Sequence, residues 1–149
     1  MNAIGLHRKG EVSLNQIIDY VRNLPTYHEA GALACFVGVV REDPIHDSNS
    51  KVTRLEYEAY AEVALKRMNE IRADAVKRSD IVEVAIHHVV DSLEVGEPSL
   101  FVVVLGKHRQ EAFRTLSETV ERVKKEVPIW KKEYTSKDAY WVSTETFGN

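Results

Sequence analysis

The chain has 149 residues, 44% of them hydrophobic and 29% charged, which is the size and make-up of one globular domain and excludes a disordered, fibrous or membrane-embedded chain. The longest apolar runs, 32–40 and 100–105, fall far short of the roughly 20 residues that a membrane-spanning helix needs. A formal net charge of -3 argues against a general nucleic-acid binder, but residues 106–137 hold nine Lys or Arg against five Asp or Glu, a basic stretch suited to a small anion or an acidic partner.

Residues 1–6 are followed at once by His7-Arg8-Lys9, without the layout of an export signal, and Cys35 is the single cysteine. An internal disulfide and a Cys-rich zinc site are thereby excluded, and a cytoplasmic location is expected. Ser13-Leu14-Asn15-Gln16 has the form of a capping box, with Ile17, Ile18, Val21 and Leu24 behind it as an apolar stripe, so a helix is expected over 13–23. Beyond Pro25, the β-branched stretch 31–41 predicts a strand covered on both faces and ending at Arg41. The polar residues 42–50, interrupted by Pro44, predict a mobile loop beside that strand end.

Residues 54–60 alternate and predict a strand that runs into a helix over 61–78, with Leu65, Met68, Ile71 and Ala75 on one face. Two β-rich runs, 82–90 and 100–106, are expected to pair across a turn marked by Gly96 and Pro98. A long amphipathic helix starts near His108, with Phe113, Leu116, Val120, Val123 and Val127 as its apolar stripe. It stops near Glu126, because Pro128 disfavours helix in the residue before it. Residues 129–134 and 139–143 predict short closing strands. The order implies one α+β domain over 1–149 with a mixed, mostly antiparallel sheet.

Phosphate-loop, zinc-protease, Cys-x-x-Cys and Gly-x-Ser-x-Gly motifs are all missing. His87 and His88 are strand neighbours whose side chains point to opposite faces, so they cannot share a metal and read as one core and one surface histidine. Cys35 lies in an apolar strand and reads as an inert core thiol. Arg41, at the strand end, is either a solvated charge or a bidentate grip for an oxyanion. On the long helix, about 100° per residue places Arg122 and Lys125 away from the apolar stripe and Lys124 at its border, where partial desolvation suits an acid-base group. Lys131 follows the bend at Pro128 and shares a strand face with Glu133, so the two lysines can converge across the bend. His108-Arg109 is either a helix cap or a second anion grip at a helix N-terminus.

Taken together, Gly31-Ala32, Phe36-Val37-Gly38-Val39-Val40-Arg41, Leu55-Glu56-Tyr57-Glu58-Ala59-Tyr60, Val95-Gly96-Glu97, His108-Arg109-x-x-Ala112-Phe113 and Lys124-x-x-Val127-Pro128-Ile129-Trp130-Lys131-Lys132-Glu133 resemble the large, catalytic subunit of molybdopterin synthase. The resemblance covers nearly the whole chain in order. It implies an α/β hammerhead fold with an added antiparallel sheet, and an enzyme that builds the molybdopterin dithiolene from cyclic pyranopterin monophosphate. The sulfur would come from the C-terminal Gly-Gly thiocarboxylate of a small ubiquitin-like partner, in a heterotetramer built on a dimer of large subunits. Carried over by position, Lys124 and Lys131 are the catalytic lysines, Arg41, His108, Arg109, Lys132 and Glu133 bind substrate and tail, and no resident metal or cofactor is implied. The chain departs from the family pattern at His88-Val89-Val90-Asp91, where relatives often have His-Arg-x-Gly, and at Val39, where many have lysine. The competing expectation is a non-catalytic module that captures an acidic tail or a nucleotide on the same basic surface.

Overall fold

The computed structural model describes residues 1–43, 51–135 and 139–142. The expected loop at 42–50 lies outside the described residues from 44 onward, as does Ser143 at the end of the last expected strand.

Among the described residues, eight strands form two sheets. In the first, β1 (Ile4–His7), β4 (Ile81–Val89), β6 (Pro98–Gly106) and β2 (Ala32–Val39) lie in the order β1-β4-β6-β2, with β1 parallel to β4 and the other pairs antiparallel. The second is antiparallel throughout, in the order β5-β3-β7-β8, from β5 (Ser92–Glu94), β3 (Val52–Ala59), β7 (Ile129–Thr135) and β8 (Ala139–Val142). Three α-helices are found among the described residues, α1 (Leu14–Arg22), α2 (Ala61–Val76) and α3 (Arg109–Glu126), with a short 3-10 turn at Tyr27–Glu29. The mixed, mostly antiparallel α+β architecture is therefore as expected.

Strand alternation explains how the first sheet is buried on both faces. On β6, Leu100, Val102 and Val104 face α2 and α3, joining Val84 and Ile86 of β4, Met68 and Ile71 of α2 and Val123 of α3. Phe101, Val103 and Leu105 face the other way, into a second core with Ile17 and Val21 of α1, Leu55 of β3 and Leu93 of β5. The capping box of α1 forms as written, Ser13 accepting from the Gln16 backbone and Gln16 from the Ser13 N–H. Gly96 adopts φ +90 in the turn from β5 to β6, a conformation that side chains resist.

Three expectations need correction. The strand β2 is an edge strand, and its outer positions Cys35 and Val39 are exposed, so Cys35 is not a core thiol. Of the expected stripe on α3, Val123 and Val127 are in the core and Leu116 and Val120 pack against it, but Phe113 is 63% exposed, and Ala112, Thr115 and Thr119 complete the buried face because their small side chains pack closely. Both His87 and His88 are buried, on opposite faces of β4, because each face of this strand is covered by a core.

Candidate active site

The site is built where α3 hands over to β7. Val127 leaves the helix with extended backbone, its N–H still donating to the Val123 carbonyl at 3.2 Å, and Pro128 turns the chain directly into β7. Lys124 on the last helical turn and Lys131 on the new strand therefore flank one bend. Among the described residues, Arg122 is ion-paired with Glu126 and with Asp74 of α2, and Lys125 is paired with Glu121, whereas no carboxylate lies within ion-pair distance of Lys124. Its ammonium instead sits 6.0 Å from the centroid of the Phe36 ring on β2. Burial lowers the Lys124 pKa below its ordinary 10.5, and the neighbouring charges of Lys131 and Arg41 lower it further. The structure thus brings these three cations into mutual electrostatic reach.

Lys131 is also depressed, first by burial; Glu133 and Asp43 pull it back up and Arg41 pushes it down. Glu133, two residues on, belongs to the same strand face and acts on the same amine. Arg41 emerges beyond β2 with an exposed guanidinium whose Nε lies 2.7 Å from Asp43 Oδ1, with a second nitrogen 3.2 Å from Oδ2. This is the fork geometry of a bidentate anion grip, filled here by the protein's own carboxylate.

The other expected residues are placed elsewhere. Lys132 alternates to the opposite face of β7, where its amine lies 5.5 Å from the rings of both Tyr134 and Trp141. His108 precedes the first turn of α3 with extended backbone, but its side chain makes no capping hydrogen bond, and Arg109 beside it is exposed. Sixteen residues separate His108 from Lys124, about 24 Å along one helix at about 1.5 Å per residue, so a single chain does not bring these groups together.

Three contributors escaped the reading of the sequence. Phe36 and Tyr57 look like ordinary core aromatics, and only packing shows Phe36 beneath Lys124 and Tyr57 opposite Lys131 in the β3–β7 register. Asp43 carries no motif, although its spacing two residues after a candidate anion-binding arginine is a legible signal. The middle of α3 bears a groove of about 350 Å³ lined by Phe36, Phe113, Leu116, Ser117, Val120 and Lys124, which the expected apolar stripe had assigned to the core.

Residues 6–126 match the family described as MoaE protein, a match that ends just before the bend at Pro128. The molybdopterin synthase catalytic subunit of Pyrococcus abyssi is 44% identical over 112 residues, covering 75% of this chain and 74% of that protein. That of Bacillus subtilis is 34% identical over 117 residues, with 78% and 73% covered. Among solved structures, the crystal structure of molybdopterin synthase from Staphylococcus aureus superposes with a TM-score of 0.82 at 28% identity, covering 96% of this chain and 98% of that one. A family match across most of the chain, relatives of this identity and a shared fold agree that the chain belongs to the MoaE family of molybdopterin synthase catalytic subunits.

Proposed function

We propose that residues 1–149 act as one catalytic unit that transfers two sulfurs from the C-terminal thiocarboxylate of a small ubiquitin-like subunit to cyclic pyranopterin monophosphate, forming the molybdopterin dithiolene. The observation that carries this reading is the convergence of Lys124, Lys131 and Arg41 around the bend at Pro128. An amine with a depressed pKa gives up and recovers a proton near neutral pH more readily than a solvated lysine, so Lys124 and Lys131 suit proton transfer during sulfur delivery. Arg41 suits an oxyanion of the substrate or tail, exchanging Asp43 for it. His108, Arg109, Lys132 and Glu133 belong to substrate and tail binding in this reading.

The site is completed by a second copy of the chain. Residue 116 is halfway between His108 and Lys124, and Leu116 lies in the exposed groove on α3. A second α3 seated there antiparallel, about a two-fold axis, would bring the partner copy's His108-Arg109 end to Lys124 and make two equal sites. With one small carrier on each large subunit, the assembly is a heterotetramer. No helix among the described residues is long and apolar enough to cross a membrane, and the reading places the enzyme in the cytoplasm, where its single cysteine stays reduced.

The test is incubation with a thiocarboxylated small subunit and the cyclic pterin, followed by detection of dithiolene product. Lys124→Ala or Lys131→Ala should cut turnover at least about a hundredfold, the scale of a lost acid-base group, while Lys125→Ala should be nearly silent. Equal losses from all three would refute the assignment. Binding of the tail without product would instead favour a capture module.

A further inference from the structure

We propose that His88 is a positioning residue for Lys124, presenting a neutral ring nitrogen beneath the amine from the floor of the site. This deepens the proposed activity and rests on that reading for its catalytic consequence.

The placement follows from strand parity and register. Val84 and Ile86 of β4 face the α2 and α3 layer, so His88, two residues further, faces it too. His88 stands opposite Leu100 of β6, and Leu100 opposite Gly38 of β2. A Cβ added at Gly38 would lie 3.2 Å from the Phe36 ring and 3.5 Å from Leu100 Cβ, so the Phe36 ring covers this row. The Lys124 amine sits 6.0 Å from that ring's centroid. From the second sheet, Tyr57 closes the other side of His88, with ring centroids 5.2 Å apart at an interplanar angle of 65°. Tyr57 is itself opposite Lys131. His88 therefore lies in the wall shared by both lysines.

Its hydrogen bonding sets what it can offer. Nδ1 is 2.8 Å from the Val89 carbonyl oxygen, which can only accept, so Nδ1 carries the proton and the distal Nε2 of the neutral ring carries a lone pair. Burial first, and the Lys124 charge in addition, push the His88 pKa down to about 4, with the Val89 hydrogen bond opposing them. The ring thus stays uncharged where three cations already meet. Among the described residues, the ionisable groups around Lys124 are Lys131 from β7, Arg41 beyond β2, His88 from β4 and Tyr57 from β3, with Glu121 and Lys125 on its own helix. Of these, only His88 combines burial with an acceptor held neutral. A lone pair on this side attracts the ammonium, keeps it at the border of the core and limits how far burial depresses it.

The test is competitive labelling with a trace amine-reactive reagent across pH, read lysine by lysine by mass spectrometry, which needs no turnover. Removing the acceptor in His88→Phe should lower the Lys124 midpoint by about half a unit or more, so that the amine is at least about threefold more reactive below its midpoint. His88→Gln, which keeps an acceptor, should move it back toward the parent, and Lys125 should titrate alike in all three. Where turnover is measured, His88→Phe should shift the pH profile and lower kcat with KM kept. An unchanged Lys124 midpoint in a folded His88→Phe protein overturns the proposal. So does a proton on Nε2 in the 15N spectrum of the unmodified protein, a measurement that requires no variant. A parent that labels as expected but forms no dithiolene refutes the proposed activity and leaves the positioning role standing.

Discussion

Burial and the neighbouring charges of Lys131 and Arg41 oppose the charge of Lys124, and this has a cost in stability. Its folded pKa is lowered, so the unfolded chain binds the proton more tightly, and the charged side chain weakens the fold at every pH below the folded pKa; the penalty fades as pH rises toward 10.5. Lys124→Met should therefore raise Tm near neutral pH, by about 1–3 °C, while abolishing turnover. Unchanged or lower Tm in calorimetry would contradict this account of the site. Asp43 makes the complementary case, because it fills the fork of Arg41 that the proposed function assigns to the substrate anion. In Asp43→Asn the guanidinium is released, and steady-state kinetics should show KM for the pterin falling about two- to fivefold, the exposed ion pair being weak. At this scale a helical wheel and a strand end are enough to locate Lys124 and Arg41 in the sequence, but the groups that set their electrostatics come from distant segments.

At the scale of elements, β4 carries two buried histidines, each with a pKa pushed down to about 4, mainly by burial. His87 shares a hydrogen bond of 2.8 Å with His7 on the face opposite His88. The unfolded chain takes up these protons near pH 6.5 and the folded chain only near 4, so stability is held above 6.5 and declines as pH falls toward 4, on the order of a few kcal/mol in all. Urea melts at pH 7 and pH 5 should show the fall, and His88→Phe should flatten it. The same strand is tied to α2 by Glu83, 8% exposed, which accepts two hydrogen bonds from Arg72 at 2.8 and 2.7 Å. Glu83→Ala should cost about 3 kcal/mol, the scale of breaking a buried pair, against nearly nothing for Lys125→Ala on the surface. Elements with local signals were legible: the capping box of α1, the stop of α3 before Pro128, and the pairing of β4 with β6. The short strands β1 and β5 were missed, since four and three residues make no period and their order depends on remote partners. On α3 the stripe located Val123 and Val127 in the core and Leu116 and Val120 against it, but it misplaced the exposed Phe113 and passed over Ala112, Thr115 and Thr119, whose small side chains carry little weight in a periodicity count.

For the whole molecule, the separation of His108-Arg109 from Lys124 makes a genetic complementation experiment decisive. Inactive Arg109→Ala chains mixed with inactive Lys124→Ala chains, with subunit exchange verified, should recover one intact site in each mixed dimer. Activity that stays at the parental floor would show that His108-Arg109 plays no part across the groove. A related consequence arises from the bend at Pro128. Lys124 belongs to a helix packed on the first sheet and Lys131 to a strand of the second, so the spacing of the two amines records the angle between the sheets. Because each ammonium's acidity depends on neighbouring charge, a small rotation of one sheet against the other becomes a change in proton affinity. The joint at Pro128 thus ties the setting of the two sheets to the proton affinity of an amine on the helix.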